Sequence, residues 1–242
     1  MIHLRKSINR LASSNSSRHY LKKFAFEAGK RVNKNSMILD AGAGDCIYRK
    51  YFKHAKYESA DFCQVDKFYA PVTYVCDLDN IPVENERYDF VFLSQVLEHL
   101  PNPQSVLTEL NRVLKPNGEL WLSAPFFYEE HEKPYDFYRY TQFGFTHLLN
   151  QAGYKVKSIS WLEGYYGTMG YQFKTMYRSI PINPKFYGKG LGSYLSALFS
   201  ALLKPLFFLL MVHFNRLDKR FIFTDNGYCK NYKVVAIKES EL

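Results

Sequence analysis

Cysteine is scarce in this 242-residue chain, and the four present carry no pattern. Cys46, Cys63, Cys76 and Cys229 form no C-x-x-C pair and have no histidine at zinc-ligand spacing. That excludes a cysteine-based metal centre and a disulfide framework, and the expected state is a reduced chain with no metal site. A continuous apolar run near the N-terminus is also missing, as are internal repeats and low-complexity tracts. No acid precedes Glu27, and Arg5, Lys6 and Arg10 make the start a basic amphipathic lead-in rather than a secretory signal.

Apolar side chains, in contrast, are plentiful. Hydrophobic residues make up 47% and aromatics 17%, with 20 Tyr and 20 Phe, which excludes wholesale disorder. The length suits one full-sized core. The net charge of +9 is unevenly placed. Residues 1–35 hold nine basic and one acidic side chains, residues 36–160 hold 12 and 17, and residues 161–242 hold 11 and five. The middle is acidic and both ends are basic, which favours an anionic membrane surface over nucleic acid as the target of the charge.

Periodicity predicts a helix over residues 18–32, then a short apolar strand at 37–39 leading into Asp40-Ala41-Gly42-Ala43-Gly44-Asp45. A helical stretch at 48–52 follows. Strand patterns recur at 57–62, 72–76, 88–93 and 119–123, with a helix over 104–114 that stops at Lys115-Pro116-Asn117-Gly118. A helix at 141–152 and strands at 155–161 and 233–237 complete the series. Strands alternating with helices predict an α/β, doubly wound, Rossmann-like sheet.

The segment Asp40-x-Gly42-x-Gly44 follows an apolar strand and precedes a helix. Glycines let a ligand approach the backbone there, and a helix N-terminus offers unpaired N–H groups. A tight turn with no ligand is the plain alternative. Asp61 weighs against it, because it ends the second strand at the offset where a carboxylate reaches ribose hydroxyls. Asp77 ends the third strand, where it can accept from an exocyclic amine. The fourth strand runs into Ser94-Gln95-Val96-Leu97-Glu98-His99 at the same sheet edge.

Together, residues 38–44, 77–82, 88–91 with Glu98-His99, and Leu114-Lys115-Pro116-Asn117-Gly118 resemble the motif series of class I S-adenosylmethionine-dependent methyltransferases. The resemblance covers roughly residues 30–162 and the last strand. It implies a seven-stranded sheet and S-adenosylmethionine as cofactor. By resemblance, Asp40, Gly42, Ala43 and Gly44 hold the methionine part, Asp61 with Phe62 the ribose, and Asp77 with Leu78 the adenine. Ser94 and Gln95 then line the side near the sulfonium. Where the family commonly has a third glycine this chain has Cys46. A dinucleotide dehydrogenase is the rival for a glycine turn, but the Leu-Lys-Pro-x-Gly turn and the Glu98-His99 pair favour methyl transfer.

Two histidines are candidates for the chemistry. His131 lies in the loop after the fifth strand, in the position of a general base, and His99 in that of an orienting group. Pro134-x-Asp136-Phe137-x-Arg139-Tyr140-Thr141, with Asp45-x-x-Tyr48-Arg49, resembles a subgroup encoded among bacterial polysaccharide and cell-envelope genes. Tyr138, Arg139, Tyr165 and Tyr166 are candidate acceptor contacts, although Asp136 and Arg139 also suit a structural ion pair and Thr141 a helix N-cap. Gly164, Gly167 and Gly170 among the tyrosines suggest a flexible aromatic approach; an aromatic core for this segment is the alternative.

Residues 191–214 are long enough to cross a bilayer, but Lys204, Pro205 and a stripe of Ser193, Ser196 and Ser200 interrupt them. The expected form is a monotopic hairpin that breaks at Pro205, dips into an anionic leaflet and is flanked by Lys185, Lys189, Arg216, Lys219 and Arg220. A lid or a dimer interface is the competing use. The expected organisation is a lead-in (1–35), a cofactor-binding core (36–163), an aromatic and apolar helical insertion (164–227) and the final core strand (228–242). The function expected is O-methylation of a glycan, glycolipid or isoprenoid-type acceptor, in the cytoplasm at the inner face of a membrane. A soluble small-molecule O-methyltransferase and a non-catalytic cofactor-binding subunit are the alternatives.

Overall fold

A computed structural model describes residues 16–65 and 68–239. Two compact units emerge, one of Tyr20–Leu162 with the chain from Asn231 onward, the other built on Glu163–Lys230. The basic residues Arg5, Lys6 and Arg10 lie outside the described residues.

The first unit begins at Tyr20 within helix α1 (Ser16–Arg31), whose Tyr20, Leu21, Phe24, Ala25 and Ala28 recur at helical spacing and are buried. They pack with Val32, Ile38, Phe52, Phe90 and Phe92, and Phe24 stacks on Trp121 at 5.3 Å between centroids. Seven strands follow: β1 (Met37–Ala41), β2 (Lys56–Asp61), β3 (Tyr74–Val75), β4 (Tyr88–Ser94), β5 (Leu114–Pro125), β6 (Tyr154–Trp161) and β7 (Asn231–Lys238). Between them lie α2 (Pro103–Val113) and α3 (Gln142–Gln151). The sheet order is β3-β2-β1-β4-β5-β7-β6, and β7 runs antiparallel to both neighbours. This is the doubly wound sheet the pattern predicts, with the seven strands the resemblance implies.

Two local differences have physical causes. The stretch after the glycine turn forms only the 3-10 turn Arg49–Tyr51 in place of a longer helix. The Lys115-Pro116-Asn117-Gly118 turn is absorbed into the start of β5, where Asn117 has φ +63° and the pairing slips between Tyr88 and Phe90. Residues 115–118 there stand opposite Asp89 alone, three more than a regular ladder holds, and the pairing resumes at Phe90–Glu119.

The second unit holds α4 (Tyr165–Ser179) and α5 (Leu191–Arg220). The flexible approach expected around Tyr165 and Tyr166 is instead the first turn of α4. Its glycines are packing positions: a Cβ on Gly167 would lie 2.4 Å from Asp218 Oδ2, and one on Gly170 2.7 Å from Asn215 Oδ1. Tyr166 stacks on Phe223 at 5.4 Å and meets Phe214 in a tilted pair at 5.8 Å, so it belongs to an aromatic core. The expected hairpin at Pro205 is also corrected, because α5 is one 30-residue helix that continues through the proline. A single proline removes one backbone hydrogen bond, which the packed helix tolerates.

Candidate active site

The site is built where β1, β2 and β4 end. Gly42 has φ +70° and Gly44 φ +53°, a conformation that L side chains adopt at a cost of roughly 1–2 kcal/mol. Cys46, at the place of a third glycine, also has a positive φ of 54° and so meets the same backbone demand. Gly42 and Ala43 both donate their N–H to Ala60 O, at 2.8 and 3.2 Å, which clamps the turn onto β2. A Cβ on Gly42 would sit 2.4 Å from Val96 Cγ2.

Asp61 is buried and its two oxygens accept from different backbone donors, Gly44 N at 2.9 Å and Cys63 N at 3.0 Å. Its carboxylate therefore shapes the turn as well as facing the cavity. Asp40 lies 2% exposed beneath the turn and accepts from Tyr57 OH at 2.6 Å. Burial pushes its carboxyl up to about 7, against the lowering effect of the Tyr57 bond. Ser94 and Ser123 share a hydrogen bond of 3.0 Å, and Gln95, at φ +58°, donates its N–H to Ser123 O at 2.8 Å.

A cavity of about 270 Å³ opens over this edge. Gly42, Asp61, Phe62, Asp77, Leu78, Gln95 and His99 line it, as the motif reading expects. Asp40, Ala43, Gly44, Ser94, His131, Tyr138 and Arg139 are not among its lining residues. The cavity also uses side chains that the motif reading passes over, notably Val96, Leu100, Glu132, Tyr135 and Phe137. Phe62 meets Tyr135 edge to face at 5.6 Å, so the end of β2 and the loop after β5 share a wall. The signal in the sequence was the spacing Tyr135-x-Phe137, two aromatics on one side of an extended loop.

The loop itself is tightly tied. Arg139 uses all five guanidinium donors: Asp136 takes two at 2.7 and 2.8 Å, and the carbonyls of Tyr128, Glu129 and Tyr138 take the rest. Arg139 therefore holds the loop, and no donor is left for an acceptor. Asp136, whose carboxyl the Arg139 hydrogen bonds hold at about 2, also accepts from His131 N at 2.8 Å. Thr141 caps α3 through Gly144 N at 3.1 Å, and Tyr138 OH donates to Pro101 O at 3.0 Å. Tyr165 and Tyr166 belong to the second unit.

Glu98 is fully buried, with its backbone carbonyl taken by Phe137 N at 2.8 Å and its carboxyl raised to about 8 by desolvation. Burial also pushes the His99 imidazole below its ordinary range. The rings of His99 and His131 meet edge to face with centroids 4.7 Å apart.

Three acidic side chains, Asp61, Asp77 and Glu132, and no Lys or Arg line the cavity among the described residues. A pyrophosphate would find no cation there, whereas a cationic, nucleoside-bearing ligand finds carboxylates beside a glycine turn. The residues fit S-adenosylmethionine.

Comparison with known proteins agrees. Residues 39–122 match the methyltransferase domain family Methyltransf_11. A demethylmenaquinone methyltransferase of Chlamydia caviae is 30% identical over 101 residues, which cover 37% of this chain and 44% of that one. A ubiquinone biosynthesis O-methyltransferase of Proteus mirabilis is 38% identical over 56 residues, 22% of this chain and 23% of its own length. The matched segments thus span less than half the length of either relative. A Burkholderia thailandensis 1,6-didemethyltoxoflavin-N1-methyltransferase, solved with S-adenosylhomocysteine, shares the fold at TM-score 0.54 and 12% identity, covering 91% of this chain and 79% of that one. The motif series at the strand ends and the match of residues 39–122 place a methyltransferase domain of the Methyltransf_11 family in the core of this chain, on a sheet whose order it shares with solved methyltransferases.

Proposed function

We propose that the chain transfers a methyl group from S-adenosylmethionine to an oxygen of a small acceptor of glycan, glycolipid or isoprenoid type, and that it works at an anionic membrane surface in the cytoplasm. The observation that carries methyl transfer is the acidic cavity over a glycine turn, with no basic side chain among its described lining residues. Relatives named for menaquinone and ubiquinone chemistry support an acceptor of that kind.

When bound, the cofactor supplies an electrophilic methyl group on a sulfonium. The chain's part is alignment and exclusion of water. Asp61 and Asp77 orient the nucleoside, and Asp40, once ionised, offsets positive charge from beneath the turn. Phe62, Tyr135 and Phe137 wall off solvent. As the acceptor oxygen gains the methyl group it loses a proton, and His131, in the loop after β5, is the base this reading assigns; such a base is worth roughly 10²–10⁴-fold.

Calorimetry tests this directly. The parent protein should bind S-adenosylmethionine, and Asp61→Ala should weaken binding at least tenfold, since the change frees two turn donors as well as the ribose acceptor. His131→Ala should retain cofactor affinity and lose turnover. No binding by the parent would end the methyl-transfer reading.

The membrane reading rests on α5, whose polarity is inverted. Ser193, Ala197 and Ser200 are buried, with Ser200 bonded to Tyr187 OH at 2.5 Å. Leu191, Tyr194, Leu195, Leu198, Phe199, Leu202 and Leu209 are exposed. An apolar stripe in water is unfavourable by about 25 cal/mol per Å² of area that a partner could cover. Basic residues flank the stripe, Lys185 and Lys189 before it, Arg216, Lys219 and Arg220 after it, which matches an anionic leaflet. The helix is long and apolar enough to cross a membrane by length and composition. However, Leu162 N donates to Asn231 O at 2.9 Å, so the segment leaves and rejoins the sheet at one place. The 15 residues of α4 reach only about 22 Å and cannot supply a return crossing. The helix therefore lies in the interface plane.

In sedimentation with anionic vesicles, Leu198→Glu with Leu202→Glu should abolish pelleting of a protein that otherwise pellets. Phe207 is a poorer target, because it stacks on Phe173 at 6.3 Å. Equal pelleting of parent and variant, or a stable dimer that the variant dissociates, would sink the membrane assignment.

A further inference from the structure

We infer that Glu98, His99 and His131 form a site for one divalent transition-metal ion. Each contributes one donor atom, and the three donors lie within 4.8 Å of one another. Sequence spacing hides the group, since His131 comes from the loop after β5 and the other two from the end of β4.

The state of Glu98 is the second, independent observation. Its side chain is 0% exposed and neither carboxylate oxygen has a hydrogen-bond partner. A buried carboxyl with nothing to bond is costly unless an ion or ligand completes it. Its Oε1 lies 3.7 Å from His99 Nε2, directed at the same spot.

Both imidazoles are held from behind in the manner of metal ligands. His99 Nδ1 bonds to the Tyr135 carbonyl, and His131 Nδ1 lies 3.2 Å from Glu129 O and 3.4 Å from Asp136 Oδ2. With a proton fixed on each Nδ1, the lone pair of each Nε2 is left free for a metal. Two imidazoles and one carboxylate suit Zn²⁺ or Co²⁺ better than the oxygen-seeking Mg²⁺ or Ca²⁺. Metal bonds of about 2.0–2.2 Å require the donors to draw together, and His131, whose side chain is 29% exposed on a loop, is the member able to move.

His99 also lines the cavity. An ion held there would replace free His131 as the agent that handles the acceptor proton, by lowering the pKa of a hydroxyl bound to it so that the proton passes to solvent. That last step rests on the methyl-transfer reading; metal binding itself does not.

The test is a Co²⁺ titration of the chelator-stripped full chain, followed by visible absorption. One ion per chain should give d–d bands without a thiolate charge-transfer band, which separates this site from the four cysteines. Glu98→Gln and His131→Ala should each weaken binding at least tenfold, while His147→Ala, exposed on α3, should leave it unchanged. No uptake, thiolate bands, or affinity indifferent to both variants would overturn the assignment. Cofactor calorimetry in the presence of chelator reports on methyl transfer separately. Cofactor binding without cobalt binding removes the metal site alone, and the reverse removes only methyl transfer.

Discussion

Gly42→Ala should abolish measurable S-adenosylmethionine binding, a loss of a hundredfold or more, and lower stability by several kcal/mol. Two costs combine at this position. The backbone sits at φ +70°, which for alanine costs roughly 1–2 kcal/mol. The added methyl then falls 2.4 and 2.6 Å from the two Val96 methyls, an overlap of the kind that costs about 1–3 kcal/mol. Relief requires the turn to leave Ala60 O, to which both Gly42 N and Ala43 N donate, or Val96 to move into the cavity it lines. Either response deforms the cofactor cradle. Combining Gly42→Ala with Val96→Ala should recover the overlap part of the stability loss and leave the backbone part. Urea midpoints of the two single variants and the double variant separate the terms. A Gly42→Ala protein with parental cofactor affinity would show that the turn is not the cradle.

The second large effect concerns pH. Asp40 titrates near 7 in the folded chain, compared with about 3.9 in an unfolded one. The folded state therefore binds more protons between these values, and stability falls as pH rises through that window. The contribution is on the order of 4 kcal/mol, fully present below about pH 4 and lost above pH 7. The cofactor-free protein should accordingly unfold at lower urea concentration at pH 8 than at pH 5. Asp40→Asn should flatten the part of the slope below pH 7. Glu98, raised to about 8, adds a slope of the same sign that reaches a unit higher. Cofactor affinity should run the opposite way, strengthening as pH rises toward 7, because a cationic ligand favours the ionised Asp40. A parent protein whose urea midpoint is independent of pH between 5 and 8 would reject the perturbed carboxyl.

Much of the site was legible in the residues because the glycine turn and the acids at strand ends are local features. Asp61 and Asp77 each finish a strand, and in a parallel sheet all such ends share one edge. Leu78, Phe62 and Gln95 came from the family resemblance, and they line the cavity. Arg139 was not legible in this way, because an arginine in a loop can serve either a ligand or the loop. Only the geometry shows that carbonyls and Asp136 take every donor. Cys46 looked like a departure from the turn, and its positive φ shows that the backbone follows the glycine path regardless.

The second unit marks the other limit. Apolar and serine stripes on α5 were visible from spacing alone, but periodicity does not say which face turns inward. Burial in the structure places Ser193, Ala197 and Ser200 inside and most of the leucines outside, because small residues let helices approach closely, while Ser196 of the stripe stays exposed. Continuation through Pro205 was equally beyond local reasoning, since packing outweighs one lost hydrogen bond.

By itself, then, the sequence determined the order of elements, the sheet and the cofactor edge, all set by short-range pattern and chain direction. The tertiary structure alone decided three things: that His131 comes to Glu98 and His99 across 32 residues, that Arg139 is a fastener, and that α5 wears its apolar side outward. Each depends on contacts between segments distant along the chain, and periodicity carries no information about which distant segments meet.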